Sequence, residues 1–376
     1  MLNRRTLRIK VMQALFAGKQ RFEANYQIAK ENLESHYSPD LNSMEIQDPQ
    51  LLKQQKKEAI KVLEKLYKGK ESTSPSIDED ILQTVNDEIT NIENQNQKDI
   101  RALRVNMISD VEKLKCYYIS IIELILEFHH HAKNETKKDH SNFVDNLLIK
   151  SIYLNPSLEK TILDCGKKWE GNSEVRSWYK NLISLNEEYI KYLSLENPGF
   201  TEDKNLMVFL IKKIIFNSDV IDSYLDDKDL FWVENKPIIK SLILKSIKNM
   251  DAESEFEILD VSYNFEDDMA FFEKLFDVSV KLDDEYKDLI SKKAVNWDID
   301  RLATTDRIIL EMAISEMIFF PSIPVKVTIN EYIELSKLYS TPKSKLFING
   351  MLDVIAEELK KMGVVKKSGR GLMDNK

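Results

Sequence analysis

Between Leu7 and Phe16 the apolar residues fall on helical positions. Leu7, Val11, Ala14 and Leu15 trace one face, and Met12 and Phe16 add a second strip. The pattern predicts a helix buried on most sides in its second half, with Arg4 and Arg8 displayed one above the other on its first two turns and Arg5 beside them. Leu51 to Tyr67 reads as a charged helix. Ile81 to Ile100 is rich in Asn, Gln and Asp and fits either a solvated helix or a partly disordered stretch, whereas Leu114 to Ala132 places Tyr117, Ile121, Leu124, Ile125 and Phe128 at core-helix spacing. Toward the C-terminus Thr304-Thr305-Asp306 offers a cap and an acidic first turn for a helix whose core stripe is Ile308, Ile309, Met312, Ala313 and Met317. Thr328 with Glu331 reads as a capping box for a helix holding Tyr332, Leu335 and Leu338, and Thr341-Pro342 opens a last helix that stops at Gly363. Tyr37 to Pro49 and Lys70 to Asp78 read as loops or linkers. With nine Gly and nine Pro in 376 residues, turns are few and the predicted class is all-α.

An internal similarity appears when Met207 to Trp232 is laid over Phe272 to Trp297 with a shift of 65 residues and no gap. Leu210 meets Leu275, Ile215 meets Val280, Asp219 meets Asp284, Leu225 meets Ile290 and Trp232 meets Trp297, each Trp being followed by a further helical run. Either the middle of the chain carries a degenerate copy of later helices, or two amphipathic helices agree by chance.

Charge narrows the functional classes. The net charge of −9 and a pI near 5.4 disfavour an unspecific nucleic-acid binder. The ends nevertheless are basic: residues 1 to 21 hold Arg4, Arg5, Arg8, Lys10, Lys19 and Arg21 without an acid, and the tail holds Lys360, Lys361, Lys366, Lys367 and Arg370. Arginines at a helix N-terminus oppose its dipole by about 0.3–1 kcal/mol each, a cost that a bound phosphate relieves. Any polyanion is therefore expected at the ends. No apolar run reaches membrane-spanning length and no signal core follows the arginines, so a cytoplasmic protein is expected. Cys116 and Cys165 are expected to be reduced and buried, without a disulfide framework or zinc site. His129 to His131 are expected at a solvated helix end, since consecutive helical positions diverge and metal ligands want an i, i+4 spacing. No phosphate loop, nucleophile elbow or metalloprotease motif occurs, and no catalytic residue, metal or cofactor is expected.

From Trp297 the sequence WDIDRLATTDRIILEMAISEM leads to IPVKVTINEYIELSKLYSTPKSKLFINGMLDVIA, ending at Ala356. Trp297 with the following Arg-Leu, Asp306-Arg307 before Ile-Leu, Ile-Pro before Val, Asn330-Glu331 before Glu-Leu, and Phe347 opening Phe-Ile-Asn-Gly resemble, in order and spacing, the C-terminal subdomain of the NusB family. Arg4-Arg5 with Arg8, followed by Gln13-Ala14-Leu15-Phe16, resembles that family's first helix. The resemblance implies a NusB-like helical bundle made from residues 1–23 and 266–363, a helical insert at 24–265 with the degenerate repeat at 207–250, and a basic flexible tail at 364–376. Asn349 is read as a buried hydrogen-bonding group and Gly350 as a close helix contact, both architectural like Trp297, Arg307, Asn330 and Glu331.

By the same resemblance, the function is that of a transcription antitermination factor. It would bind a boxA-like single-stranded RNA together with the small-subunit ribosomal protein that doubles as NusE, in an RNA polymerase antitermination complex serving ribosomal RNA operons. Arg4, Arg5 and Arg8 would hold phosphates, with Lys343, Lys345 and Phe347 completing the surface; Phe347 is equally well read as a core ring. Three positions depart from the family habit: Leu346 where a basic residue often precedes the Phe, Lys343 where an acid is common, and Glu311 where a basic residue often follows Ile-Leu. These shift the expected surface toward Lys343 and Lys345. The alternatives are a protein-binding scaffold and the NusB-like part of a ribosomal RNA methyltransferase, although the catalytic domain of such an enzyme has no counterpart in the sequence. A homodimer, known for some members, would be supported by the mixed apolar and basic first helix.

Overall fold

In the computed structural model, which describes residues 1–40, 47–69, 78–166, 169–253, 255–293 and 303–375, every regular element is helical. The order is α1 (Arg4–His36), α2 (Pro49–Tyr67), α3 (Glu79–Lys133), α4 (Ser141–Val144), α5 (Leu147–Leu154), α6 (Leu158–Cys165), α7 (Ser173–Trp178) and α8 (Glu187–Leu193). It continues with α9 (Phe200–Phe209), α10 (Asp219–Asp226), α11 (Trp232–Asn249), α12 (Phe265–Val280), α13 (Asp284–Lys293), α14 (Thr304–Phe319), α15 (Val325–Tyr339) and α16 (Ser344–Lys361). Trp297 and the Arg-Leu pair after it lie outside the described residues, as do residues 41–46 and 70–77 of the two expected linkers. The chain divides into two compact units, an insert unit of residues 1–7 and 109–270 and a main unit of residues 8–108 and 271–376. This differs from the division expected from the sequence, because residues 24–108 cluster with the C-terminal region. The break inside α3 falls where its polar first half gives way to the apolar run that begins near Val111.

In the main unit, the polar stretch Ile81 to Ile100 is fully helical. Its sparse apolar residues suffice because they meet two other helices: Ala29, Leu33 and Tyr37 from α1 and its C-terminal edge pack with Ala59, Val62 and Leu63 of α2 and with Ile81, Val85 and Ile92 of α3. Asp48 caps α2 by accepting from the amides of Gln50 and Leu51, with Pro49 at the first helical position. Helix α14 is buried on every side from Ile308 to Met317, as a helix at the centre of a bundle must be. Three polar side chains, Glu311, Ser315 and Glu316, are buried with it and each requires a partner. The capping box expected at Thr328 and Glu331 does not form. Helix α15 starts earlier, at Val325; Thr328 donates to Glu316 of α14, and Glu331 lies against Arg8 of α1.

The insert unit is built on the second half of α3, where Val111, Leu114, Tyr118, Ile121, Ile122, Leu124, Ile125 and Phe128 are all at most 1% exposed. Tyr118 meets Ser246 of α11 at 2.6 Å, and Trp169 donates its indole N–H to the Ser120 carbonyl at 2.6 Å. Two expectations are corrected here. Cys116 on α3 and Cys165 at the end of α6 are joined in a disulfide, with Cα atoms 5.2 Å apart, although 49 positions separate them in the sequence. His129 is packed rather than solvated: it is buried beside Phe143 and Tyr153, and its Nε2 lies 3.1 Å from the Val144 carbonyl oxygen.

The 65-residue shift found in the sequence recurs in the helix boundaries. Helix α9 with the π-helical turn Leu210–Ile215 that prolongs it covers 200–215, and α12 covers 265–280; α10 begins at 219 and α13 at 284.

Candidate nucleic-acid interface

The expected RNA-contacting residues separate into two sets. Arg4 and Arg5, on the first turn of α1, belong to the insert unit and are exposed; Arg4 Nε lies 3.9 Å from an Asp268 oxygen. Arg8, Lys343, Lys345 and Phe347 belong to the main unit.

Arg8 is corrected from a surface residue to an interior one. It is 3% exposed, and its guanidinium grips Glu316 through two parallel bonds, Nε to Oε2 at 2.7 Å and Nη2 to Oε1 at 2.8 Å. Glu331 adds a third contact at 3.6 Å, and the rings of Phe271 and Tyr332 lie 5.2 and 5.9 Å from the guanidinium carbon. Glu316 is satisfied further by the Thr328 hydroxyl at 2.9 Å and the Tyr332 hydroxyl at 3.2 Å. Burial works against the charged guanidinium, but Glu316 outweighs it and the Arg8 pKa rises above its ordinary value. Tyr332, wholly buried beside a carboxylate, is likewise held well above the usual phenol range. The signal was present in the sequence, since an acid placed within a core stripe demands a buried cation, and Arg8 is the first helix's answer.

Glu311, the departure from family habit, is neutralised rather than exposed. It accepts from Lys19 Nζ at 2.9 Å and from Arg307 Nε at 2.9 Å, four positions earlier on α14. Burial lowers the Lys19 pKa, with Glu311 opposing that shift.

The start of α16 is fixed by Asp306, whose buried carboxylate accepts from the hydroxyls of Ser340 and Ser344, the latter at 2.8 Å. Thr341 and Ser344 pair at 2.8 Å, so the helix begins at Ser344, after the Thr341-Pro342 pair. Lys343 and Lys345 point to solvent from this turn, and Leu346 is 73% exposed. Phe347 falls on the core side of α16, 6% exposed, among the buried residues Ile348, Met351 and Leu352. Of its two readings from the sequence the structure thus gives the core ring, not an open stacking face.

Asn349 and Gly350 are corrected in the opposite sense, for both are exposed, as is Asn330 on α15. A Cβ built on Gly350 meets nothing within 4 Å, so no close helix contact explains the glycine. Gly350→Ala is accordingly expected to stabilise the protein by about 0.8–1.0 kcal/mol, the helix-propensity difference. Urea denaturation checks it: a higher midpoint at unchanged slope is the expected result, and a lower midpoint would reveal a contact at this face.

Residues 234–357 match the model of the NusB family. A transcription antitermination protein NusB from Salinibacter ruber is 38% identical over 139 residues, which are 36% of this chain and 86% of that protein. The Bacillus pumilus protein of the same name is 35% identical over 122 residues, 32% of this chain and 91% of the relative. The Chloroherpeton thalassium protein is 49% identical over 85 residues, 23% of this chain and 40% of its own length. Among solved structures, T. maritima NusB is 27% identical, covering 44% of this chain and 94% of that one, with a TM-score of 0.24.

Proposed function

The chain belongs to the NusB family, and from that premise we propose that it acts as a transcription antitermination factor. In this reading it holds a boxA-like single-stranded RNA together with the small-subunit ribosomal protein that serves as NusE, within an RNA polymerase complex on ribosomal RNA operons. It acts in the cytoplasm and performs no catalysis. The observation that carries the reading is the 35–38% identity to two proteins named for antitermination across 86–91% of their lengths.

The phosphate contacts fall to Arg4 and Arg5 and, in the main unit, to Lys343 and Lys345, all of them exposed. Arg8 acts by positioning: pinned to Glu316, it fixes the turn of α1 that follows the two exposed arginines. Residues 207–250 are a degenerate copy of the helical run that begins at 272, a reading that the helix boundaries shared at a shift of 65 residues support. Among the described residues no helix is long and apolar enough to cross a membrane.

Fluorescence anisotropy with labelled boxA-like RNA, with and without the ribosomal partner and at several salt concentrations, tests the reading. Arg4→Ala/Arg5→Ala is expected to weaken binding and to reduce the slope of log affinity against log salt by roughly 0.7 for each phosphate of the single strand that is no longer neutralised. The pair that Arg4 makes with Asp268 is long, at 3.9 Å, and Arg4 is exposed, so its loss should cost little stability, which a urea melt of the variant checks alongside binding. Equal affinity for boxA-like and scrambled RNA in the presence of the partner would replace this function with that of a protein scaffold.

A further inference from the structure

With Phe347 turned into the core, the aromatic partner expected beside the arginines must be sought elsewhere. Tyr263, in the segment between α11 and α12, is 83% exposed. A Tyr ring offers about 150–250 Å² of contact area, which proteins ordinarily bury. Its backbone is not loose. The neighbouring Ser262 is buried and donates its hydroxyl to the Asp268 carboxylate, while the Asn264 amide donates to Ser262 Oγ at 3.2 Å. Asn264 Oδ1 in turn caps α12 by accepting from the Asp267 amide at 3.2 Å. The turn is held from both sides, and the Tyr263 ring projects from it into solvent.

Positive charge is brought to this ring from two directions within the insert unit. Lys245 of α11 donates to the Tyr263 hydroxyl at 2.7 Å, and its ammonium lies 4.5 Å from the ring centroid. That contact fixes the ring orientation and sets a cation at its hydroxyl edge. The start of the chain runs alongside: the Leu2 amide donates to the Val261 carbonyl at 2.9 Å, and Arg4 reaches Asp268. The acids of the first turn of α12 are partly engaged, Asp268 with Arg4 and Ser262, and Asp267 with the Asn264 side chain at 2.5 Å. Glu266 remains exposed there and disfavours phosphate on the α12 side, leaving the Lys245 and Arg4 side for a polyanion.

We propose that Tyr263 is a base-stacking platform: an unpaired base of single-stranded RNA lies on its ring, with Lys245 and Arg4 holding the adjoining phosphates. A rigid aromatic flanked by cations is the recurring device for seating single-stranded nucleic acid. The site lies in the insert unit, and Lys245 and Tyr263 fall within the residues 234–357 that match the family model. It rests on the RNA-binding reading above.

The test uses the full chain and a labelled single-stranded boxA-like RNA carrying 4-thiouridine. Tyr263→Ala is expected to weaken binding roughly 5- to 100-fold, the equivalent of one unstacked base. Tyr263→Phe, which keeps the ring and removes the hydroxyl bond to Lys245, should stay within about threefold of the parent, since stacking needs only the ring face. Irradiation of the parent complex should place a crosslink on Tyr263, mapped by mass spectrometry. If the parent binds and Tyr263→Ala binds equally well, or the crosslinks avoid Tyr263, the platform is overturned while the RNA-binding reading stands. If the parent fails to bind the RNA at low salt, the reading itself falls and the platform with it.

Discussion

Arg8→Ala is expected to lower the stability of the protein by about 3–5 kcal/mol, the usual consequence of removing one partner of a buried ion pair. The cost arises on the carboxylate that remains. Glu316 is fully buried in the middle of α14, and without Arg8 it keeps only the hydroxyls of Thr328 and Tyr332 as donors. Glu316→Ala should also be harmful, because it takes both parallel bonds from a guanidinium that burial disfavours and leaves the longer 3.6 Å contact with Glu331 in their place. Arg8→Lys should fall between, since a compact ammonium cannot reproduce the two parallel bonds. Replacing both partners together, Arg8→Met with Glu316→Leu, should recover only part of the loss, because the Thr328 and Tyr332 hydroxyls are then deprived of their shared acceptor. Urea denaturation followed by circular dichroism reads these differences. A well-folded Arg8→Ala protein of parental stability that binds RNA poorly would instead give Arg8 a direct phosphate role.

That difference between Arg8 and its neighbours shows which part of the site could be read in the sequence. Helical periodicity located α14, α15 and α16 and identified their core stripes, because burial imposes a spacing that a single chain displays. Periodicity could not say how far α1 and α3 run, since their polar halves are stabilised by each other and by α2, partners remote in sequence. The site was harder still. Arg4, Arg5 and Arg8 look alike in the chain, and only the acid at Glu316 distinguishes the one that is drawn inward. Thr328 and Glu331 have the spacing of a capping box, but the competing demand of Glu316 and Arg8 for buried partners takes both residues. Gly350 shows the converse: a helix-interior glycine suggests a close neighbour, and here there is none. Tyr263 sits in a segment without periodicity, so nothing local separated an exposed ring from a buried one.

Reduction of the Cys116–Cys165 bridge is expected to destabilise the insert unit by about 4 kcal/mol, from the chain entropy regained when a loop of 49 residues' separation is released. Helix α6 has little else to hold it, for Leu158 is its one buried residue among those described. On either side the chain is tied by Asn155, which donates to the Phe256 carbonyl at 2.7 Å, and by the Trp169 indole. Opening of the bridge should therefore free α6 between these ties before it unfolds the unit. Thermal melts of the parent with and without a dithiol reductant, and of Cys116→Ser/Cys165→Ser, check the magnitude; hydrogen exchange across 155–166 checks the location. Three of the four tryptophans, Trp169, Trp178 and Trp232, lie in the insert unit, so indole fluorescence chiefly follows its unfolding. Coincident melts and unchanged exchange would mean that the bridge contributes nothing in solution. The same numbers bear on the proposed setting. A reducing cytoplasm opens most disulfides, so a factor working there relies on the reduced form. In the reduced protein α6 must then stay in place on Leu158 and the ties at Asn155 and Trp169, and the melt measures whether those suffice.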